Sequence, residues 1–366
     1  MTLYIIDDIT KLQAKTFFQE NITGGDYLVR ATIRDIAEKA GVSITTVSLV
    51  LNGKELRIAS ATKKRIIEIA NELNYRPNKL AVGLITKKTN TLGFIVPDIS
   101  NSFFGELAKG AENEASNCNY NIILSNTNDN PEKDLEYMDI LLDRGVDGII
   151  MVPSSVSAGE ILKKCYQLME QCQKPLILVD RIKMGDKYTS ISVDHEMGGY
   201  LATKHLIENG HEKIACITGP LGMLNSRLRF LGYKKALETY KIPFCPRYVE
   251  EGNYHVEDGE VLAEKLFKHG VTAIFAFNDL MAYGVYKAAR KLGYKVPNDI
   301  SVVGFDDLFY SGIMEVPLTT IRQPSYEMGE ASVRKIVELL SDTNATNESI
   351  FYKPELVVRS SVKKLN

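Results

Sequence analysis

Nowhere in its 366 residues does this chain carry a run of about eighteen apolar residues, so no membrane-spanning helix is predicted. Cysteine is scarce. The five present (Cys118, Cys165, Cys172, Cys216 and Cys245) are odd in number, scattered and without a CxxC pair. That argues against a disulfide frame or a zinc site and fits buried thiols in a reducing compartment, so a cytoplasmic location is expected. Catalytic signatures are missing too: no GxGxxG follows a strand-like run, and no Walker loop, GxSxG or HExxH occurs. His195, His205, His211, His255 and His269 lack metal-ligand spacing and read as solvated residues on helices or in loops. No catalytic residue, metal site or cofactor is expected, and the chain is not expected to be an enzyme. Residues 1–30 show no basic segment followed by an apolar one, so they do not read as a secretory signal. They read as a poorly structured extension. Gly24-Gly25-Asp26 is codable as a ribosome-binding site, which makes Leu28 or Val29 a candidate start codon.

What is present is ordinary globular composition, 45% hydrophobic and 25% charged, at a length that predicts two or three domains. The net charge of −2 conceals an asymmetry. Residues 30–88 hold twelve Lys/Arg against five Asp/Glu, a local +7, which leaves −9 for the remainder. A basic head on an acidic body points to a polyanion partner for the head alone.

Helical spacing runs through that head. Ile36, Ala37 and Ala40 form one apolar stripe, Val47, Val50 and Leu51 a second, and Ile66, Ile69, Ala70 and Leu73 a third. Gly41 breaks the first helix, Ser43 caps the second and Asn52-Gly53 ends it. Arg76-Pro77-Asn78 stops the third, because proline disfavours helix before it. Helix, glycine turn, helix is the helix-turn-helix pattern, whose second helix enters the DNA major groove. With Val47, Val50 and Leu51 inward, Ile44, Thr45, Ser48 and Leu49 face out. Thr45, Thr46 and Ser48 can bond base edges or phosphates, and Ile44 and Leu49 can meet thymine methyls.

Beyond the head the pattern changes to short apolar runs, "LGFIVPD", "NIILSN", "GIIMVP" and "LILVD", alternating with helix-length amphipathic segments such as 104–115 and 135–143. It restarts with "SISVDH", "KIACITG", "AIFAFN" and "ISVVGFDD". This alternation predicts βα units around parallel sheets. "RGVDGIIMVP" and "HGVTAIFAFN" echo each other, which suggests two similar doubly wound halves. Ligands of such sheets sit beyond the carboxyl ends of the strands.

"GVSITTVSLVLNG", followed at fixed distance by "ELNYRPNKLAVGLITKKTNTLGFIVPDISNSFF", resembles the lactose-repressor (LacI/GalR) family of bacterial transcription regulators, and the likeness runs from Ala31 to the end of the chain. The resemblance implies a small all-α helix-turn-helix head on an α/β body like the periplasmic sugar-binding proteins, with two doubly wound subdomains. It implies a head over 31–77, a hinge helix and linker over 78–90, and an effector-binding and dimerisation domain over 91–366. In that domain one subdomain takes about 91–192 and 322–350, and the other about 193–321 and 351–366. It adds Thr32, Asn52, Tyr75 and Asn78 to the DNA-contacting set, and makes Leu84, with Ala81 beside it, the hinge wedge that opens a central base step. Two departures bear on the operator: Leu49 stands where the family often has arginine, and Gly83 replaces a commoner serine.

A sugar offers hydroxyls that donate and accept, so carboxylates, amides and guanidinium groups suit it, with aromatic faces over the ring. At the strand ends these are Asn101, Phe103, Phe104, Asp180 and Arg181 in the first half, and Arg229, Tyr254, Asn278, Asp306 and Gln323 in the second. The set resembles that of ribose-binding proteins and ribose-operon repressors, except that Val152 stands where the ribose-binding transport proteins place an asparagine. The expected protein is a homodimeric repressor of a pseudo-palindromic operator, controlled by a small sugar, D-ribose first, and not attached to membrane. The alternatives are a catabolite-control-type regulator that takes a phosphocarrier protein as corepressor, and a sugar-binding protein with no DNA role.

Overall fold

The computed structural model describes residues 31–53, 58–76, 88–155, 159–181, 187–342 and 345–365. They fall into two units, one ending at Lys87 and one starting at Lys88. Among its described residues the first contains three helices, α1 (Ile33–Ala40), α2 (Ile44–Leu51) and α3 (Ser60–Glu72). Thr32 and Asp35 form a capping box at the start of α1, and Gly41, at φ 62°, supplies the left-handed residue that ends it. The Ser43 hydroxyl then accepts from the Thr46 amide and starts α2. Ile36, Val47 and Ile66 meet at the centre with Ala37, Ala40, Val50, Ile69 and Ala70. Leu51 and Leu73, expected inside, are only partly buried at its edge. The Arg65 guanidinium donates to the Lys39 carbonyl at the end of α1 (3.3 Å), which ties α3 to the first helix.

The second unit has two lobes, each a six-stranded sheet wrapped by helices. In chain order the first lobe contains β1 (Thr91–Val96), α4 (Ser102–Asn117), β2 (Asn121–Asn126), α5 (Pro131–Asp143), β3 (Gly148–Met151), α6 (Glu160–Cys172), β4 (Leu176–Val179) and β5 (Thr189–Val193). The second follows with α7 (His195–Glu208), β6 (Ile214–Thr218), α8 (Leu224–Thr239), β7 (Val249–Glu251) and α9 (Val256–Phe267). It continues with β8 (Ala273–Ala276), α10 (Asp279–Leu292), β9 (Ser301–Asp306), α11 (Phe309–Ile313) and β10 (Thr319–Arg322). The chain then returns for α12 (Ser325–Ser341) and β11 (Ile350–Tyr352), and crosses once more for β12 (Glu355–Val357). The sheet orders, β11-β5-β4-β3-β1-β2 and β12-β10-β9-β8-β6-β7, are the same topology twice. All pairings are parallel except β10 with β12. Because β11 pairs with β5, Phe351 and Tyr352 belong to the first lobe, slightly past the boundary expected near 350.

Strand alternation divides the first lobe's core in two. Phe94, Val96, Ile150, Val152, Ile177 and Val179 face α4 and α12, while Ile95, Ile149, Met151, Leu176 and Leu178 face α5 and α6. Val152 is therefore core, and does not line the cavity described below. In the second lobe the strands share one apolar cluster with the helices on both faces.

Three helix pairs approach backbone to backbone, and each does so through reciprocal glycines. A Cβ on Gly110 (α4) would overlap the Tyr326 carbonyl, and one on Gly329 (α12) the Leu107 carbonyl. Gly199 and Gly232 stand likewise against Arg229 and Glu196 across α7 and α8, and Gly259 and Gly284 against Met281 and Val256 across α9 and α10. Gly329→Ala is expected to cost about 1–3 kcal/mol by forcing α4 and α12 apart. Gly105→Ala, on α4 where a Cβ meets nothing, should leave stability unchanged or slightly raised. Denaturant unfolding of the two variants checks the difference.

Candidate functional site

The carboxyl ends of both sheets converge on one cavity. It is lined by Asn101, Phe103, Phe104, Asp180 and Arg181 from the first lobe and by Asn225, Arg229, Tyr254, Asn278 and Asp306 from the second. Gln323, at the crossover after β10, completes the wall. All ten residues expected from the strand ends thus share one cavity, joined by Asn225.

Several hold their places through local backbone chemistry. Asn101 caps α4, its side-chain oxygen accepting from the Phe103 amide (3.0 Å), and Asn278 caps α10 in the same way (2.9 Å to Met281). The Asn278 amide group also donates to the Tyr254 carbonyl (3.0 Å). Capping and lining the cavity are compatible because each amide has more than one donor and acceptor site. Phe103 and Phe104 meet edge to face at 5.1 Å between centroids. Asp180, Tyr254 and Asp306 all have positive φ (60°, 70° and 118°), an uncommon backbone state for side-chain-bearing residues that concentrates at ligand sites.

Arg229 is 2% exposed. Its Nη1 donates to the Phe277 carbonyl, its Nε to His195 Nδ1 (3.3 Å), and its guanidinium carbon lies 3.7 Å from the centroid of the Phe305 ring. Since Arg229 can only donate, His195 Nδ1 is the acceptor and the ring proton sits on Nε2, facing Ser192 Oγ (3.2 Å). Burial and the adjacent guanidinium hold this histidine neutral, well below its ordinary range. His195 and His211 are both buried, contrary to the expectation that the histidines are solvated. Position could have flagged His195, because it follows a strand end directly, whereas Asn225 lies inside "LNSR" and carries no such mark.

Asp306 Oδ1 accepts from Gln323 Nε2 (2.7 Å). Burial pushes the Asp306 carboxyl well above its usual range although Arg229 pulls the other way, and burial likewise raises Asp180 against the pull of Arg229 and Arg181. Asp180 Oδ1, the Tyr254 hydroxyl and Gln323 Oε1 are buried without a hydrogen-bond partner among the described residues. A buried polar atom left unpaired costs about 1–3 kcal/mol, so three on one cavity wall mark where a hydrogen-bonding ligand fits. No group of three or more His, Cys, Asp or Glu among the described residues is arranged to hold a metal ion. No described helix is long and apolar enough to cross a membrane.

In the head, α2 presents Ile44, Thr45 and Leu49 outward, with Ile44 43% and Leu49 38% exposed. The other expected DNA-contacting hydroxyls have local partners. Thr32 completes the α1 capping box, Thr46 Oγ1 lies 2.9 Å from Ser43 Oγ, and Ser48 Oγ accepts from Asn52 Nδ2 (3.2 Å). Tyr75 packs, half-buried, on the head's core. Asn78, Ala81 and Leu84 lie outside the described residues.

Two family models match. Residues 32–78 match the bacterial regulatory proteins of the lacI family, and residues 89–353 match the periplasmic binding proteins and sugar binding domain of the LacI family. The chain is 35% identical over 338 residues to catabolite control protein A of Priestia megaterium, covering 92% of this chain and all of that one. A solved LacI family transcriptional regulator from Enterococcus faecium with bound ribose superposes with a TM-score of 0.69 at 30% identity, covering 75% of this chain and 100% of that one. The lac repressor dimer bound to operator and the anti-inducer ONPF superposes at 0.80 with 28% identity, covering 91% and 99%.

Because burial raises the Asp306 pKa in the folded chain, the folded state holds a proton that the unfolded state has released between the two pKa values. Stability contributed by that proton is therefore lost as pH rises through this window. Asp306→Asn, which keeps an acceptor for Gln323, should raise the Tm measured without sugar near neutral pH. The gain should shrink as pH falls toward the ordinary Asp range near about 4. Thermal melts of both proteins across that range check it.

Proposed function

This chain belongs to the LacI family of bacterial regulatory proteins, and from that premise we propose a transcriptional repressor whose grip on operator DNA is set by a sugar bound between its lobes, D-ribose first. The observation that carries the sugar reading is the cavity wall itself. Three unpaired buried polar atoms, two arginines and two capping amides surround a space bordered by two phenylalanines. That combination suits a small ring with hydroxyls in several directions and little charge. The structural relative with bound ribose supports a pentose. Val152, core where ribose-binding transport proteins place an amide, removes one polar contact and keeps other pentoses and hexoses in the test.

A sugar that touches groups of both lobes favours the arrangement in which those groups are closest. It shifts operator binding only by its differential affinity for the two arrangements. The expected sign is induction: sugar favours the form that binds operator less well. The protein works in the cytoplasm as a homodimer, two heads reading the halves of a pseudo-palindrome. Outward Ile44, Thr45 and Leu49 meet base edges, and the hinge segment with Asn78, Ala81 and Leu84 contributes a minor-groove wedge. The likeness to catabolite control protein A favours a second reading, in which a phosphocarrier protein is the corepressor. Calorimetry with D-ribose, and separately with a phosphocarrier protein, separates the two.

In a mobility-shift assay D-ribose should weaken operator binding; tighter binding with sugar contradicts induction. Arg229→Ala should lower ribose affinity at least about a hundredfold, since a buried charge-assisted donor is lost, while operator binding without sugar persists. Leu49→Arg should change which bases are selected from a random DNA pool while sugar affinity stays unchanged. An unaltered preference would show that this side chain does not read DNA.

A further inference from the structure

We propose that Asp129, which does not line the cavity, is a positioning residue for effector binding: it fixes the Arg181 guanidinium in the orientation that meets the ligand. The proposal rests on the reading of the cavity as a sugar site. Arg181 follows β4, and its side chain is 10% exposed. Its Nη1 donates to Asp129 Oδ1 (2.5 Å) and to the Pro153 carbonyl (3.3 Å), and its guanidinium carbon lies 5.4 Å from the centroid of the Phe104 ring.

Asp129 is itself held from three sides. Its Oδ1 also accepts from the Ser155 amide (2.8 Å), and its Oδ2 accepts from the Ser155 hydroxyl. Its own amide donates to the Pro97 carbonyl (2.8 Å). Asn128 and Asp129 are consecutive left-handed residues in the loop after β2. Burial works against this charge, but Arg181 and the Ser155 bonds outweigh it and hold the carboxyl below its ordinary range. The loops after β2, β3 and β4 therefore meet at one ion pair.

The consequence lies in which donors remain. With Nη1 committed to Asp129 and Pro153, Nε and Nη2 have no partner among the described residues. They form one edge of a planar fork, two parallel donors at fixed spacing, a geometry suited to adjacent oxygen atoms. Of the first-lobe side chains that line the cavity, only Asn101 and Arg181 can donate, so this edge is half of that lobe's donor set. If Asp129 were only a tie between loops, its loss would lower stability without acting through Arg181.

The test uses the full-length chain in a double-mutant cycle, with affinities for D-ribose and a panel of aldopentoses and aldohexoses measured by calorimetry. Asp129→Ala should weaken the preferred sugar about tenfold or more, the scale of losing a charge-assisted hydrogen bond. Asp129→Asn, which keeps an acceptor, should recover part of that. In an Arg181→Ala background Asp129→Ala should change affinity less than about twofold. An equal loss in both backgrounds overturns the proposal, because Asp129 would then act through the fold. A crystal structure of Asp129→Ala supplies a second, independent readout: the guanidinium should leave its place beside Phe104, and an unmoved guanidinium overturns the proposal. A wild-type protein that binds no sugar in the panel overturns the sugar reading, and the position of Arg181 in the crystal then decides this one.

Discussion

One buried guanidinium organises the body of this protein. Arg229 has almost no access to water, and it sits among two carboxylates that burial drives toward their neutral forms in spite of it. Arg229 is the charge that pulls Asp180 and Asp306 the other way, and burial outweighs it at both. Its own nitrogens are engaged by His195 and the Phe277 carbonyl, and its flat face by Phe305. Buried charges survive only when they are paired and hydrogen-bonded. Here the pairing is incomplete: Asp180, Tyr254 and Gln323 each have an atom on the cavity wall with no partner among the described residues. Positive-φ backbone falls at Asp180, Tyr254 and Asp306 on the same wall, so local strain and unpaired groups occur together.

The helix packing fixes where that guanidinium stands. Gly199 on α7 lies against the backbone of Arg229 on α8, with no room for a methyl group between them. His195 is the first residue of α7 and Ser192 ends on the first lobe's sheet, so the Ser192–His195–Arg229 chain crosses from one lobe to the other. A glycine in a helix ordinarily weakens it, by about 1 kcal/mol relative to alanine. Three helix pairs accept that cost twice each, and what they gain is close approach of α4, α8 and α10, which carry or adjoin cavity-lining residues, to their neighbours.

Much of this was legible in the sequence because period-2 and period-3.6 patterns are strong signals in βα units. Strand ends located nine of the expected cavity residues, since the fold always brings those ends together, while Arg229, inside α8, was marked by the family resemblance. His195 escaped because a histidine after a strand can be solvated or buried, and only the tertiary neighbour Arg229 decides. Asp129 escaped because its partner is 52 residues away and its loop reads as an ordinary polar turn. The hydroxyls of α2 show the converse: Thr46 and Ser48 point toward the reading face by helical phase, yet each has a local partner that only geometry reveals. Outward exposure at Ile44 and Leu49, by contrast, follows directly from the phase set by Val47 and Val50.

The proposed control requires one equilibrium to connect the cavity to the DNA-reading heads, and thermodynamic linkage gives it a strict test. Any factor by which sugar changes operator affinity must equal the factor by which operator changes sugar affinity. Calorimetric titration of D-ribose into the full-length protein, alone and saturated with a selected operator duplex, measures the second factor directly. Ribose is expected to bind the operator complex more weakly, by the same factor as the sugar's effect on operator binding. Equal ribose affinity in the two titrations would contradict it.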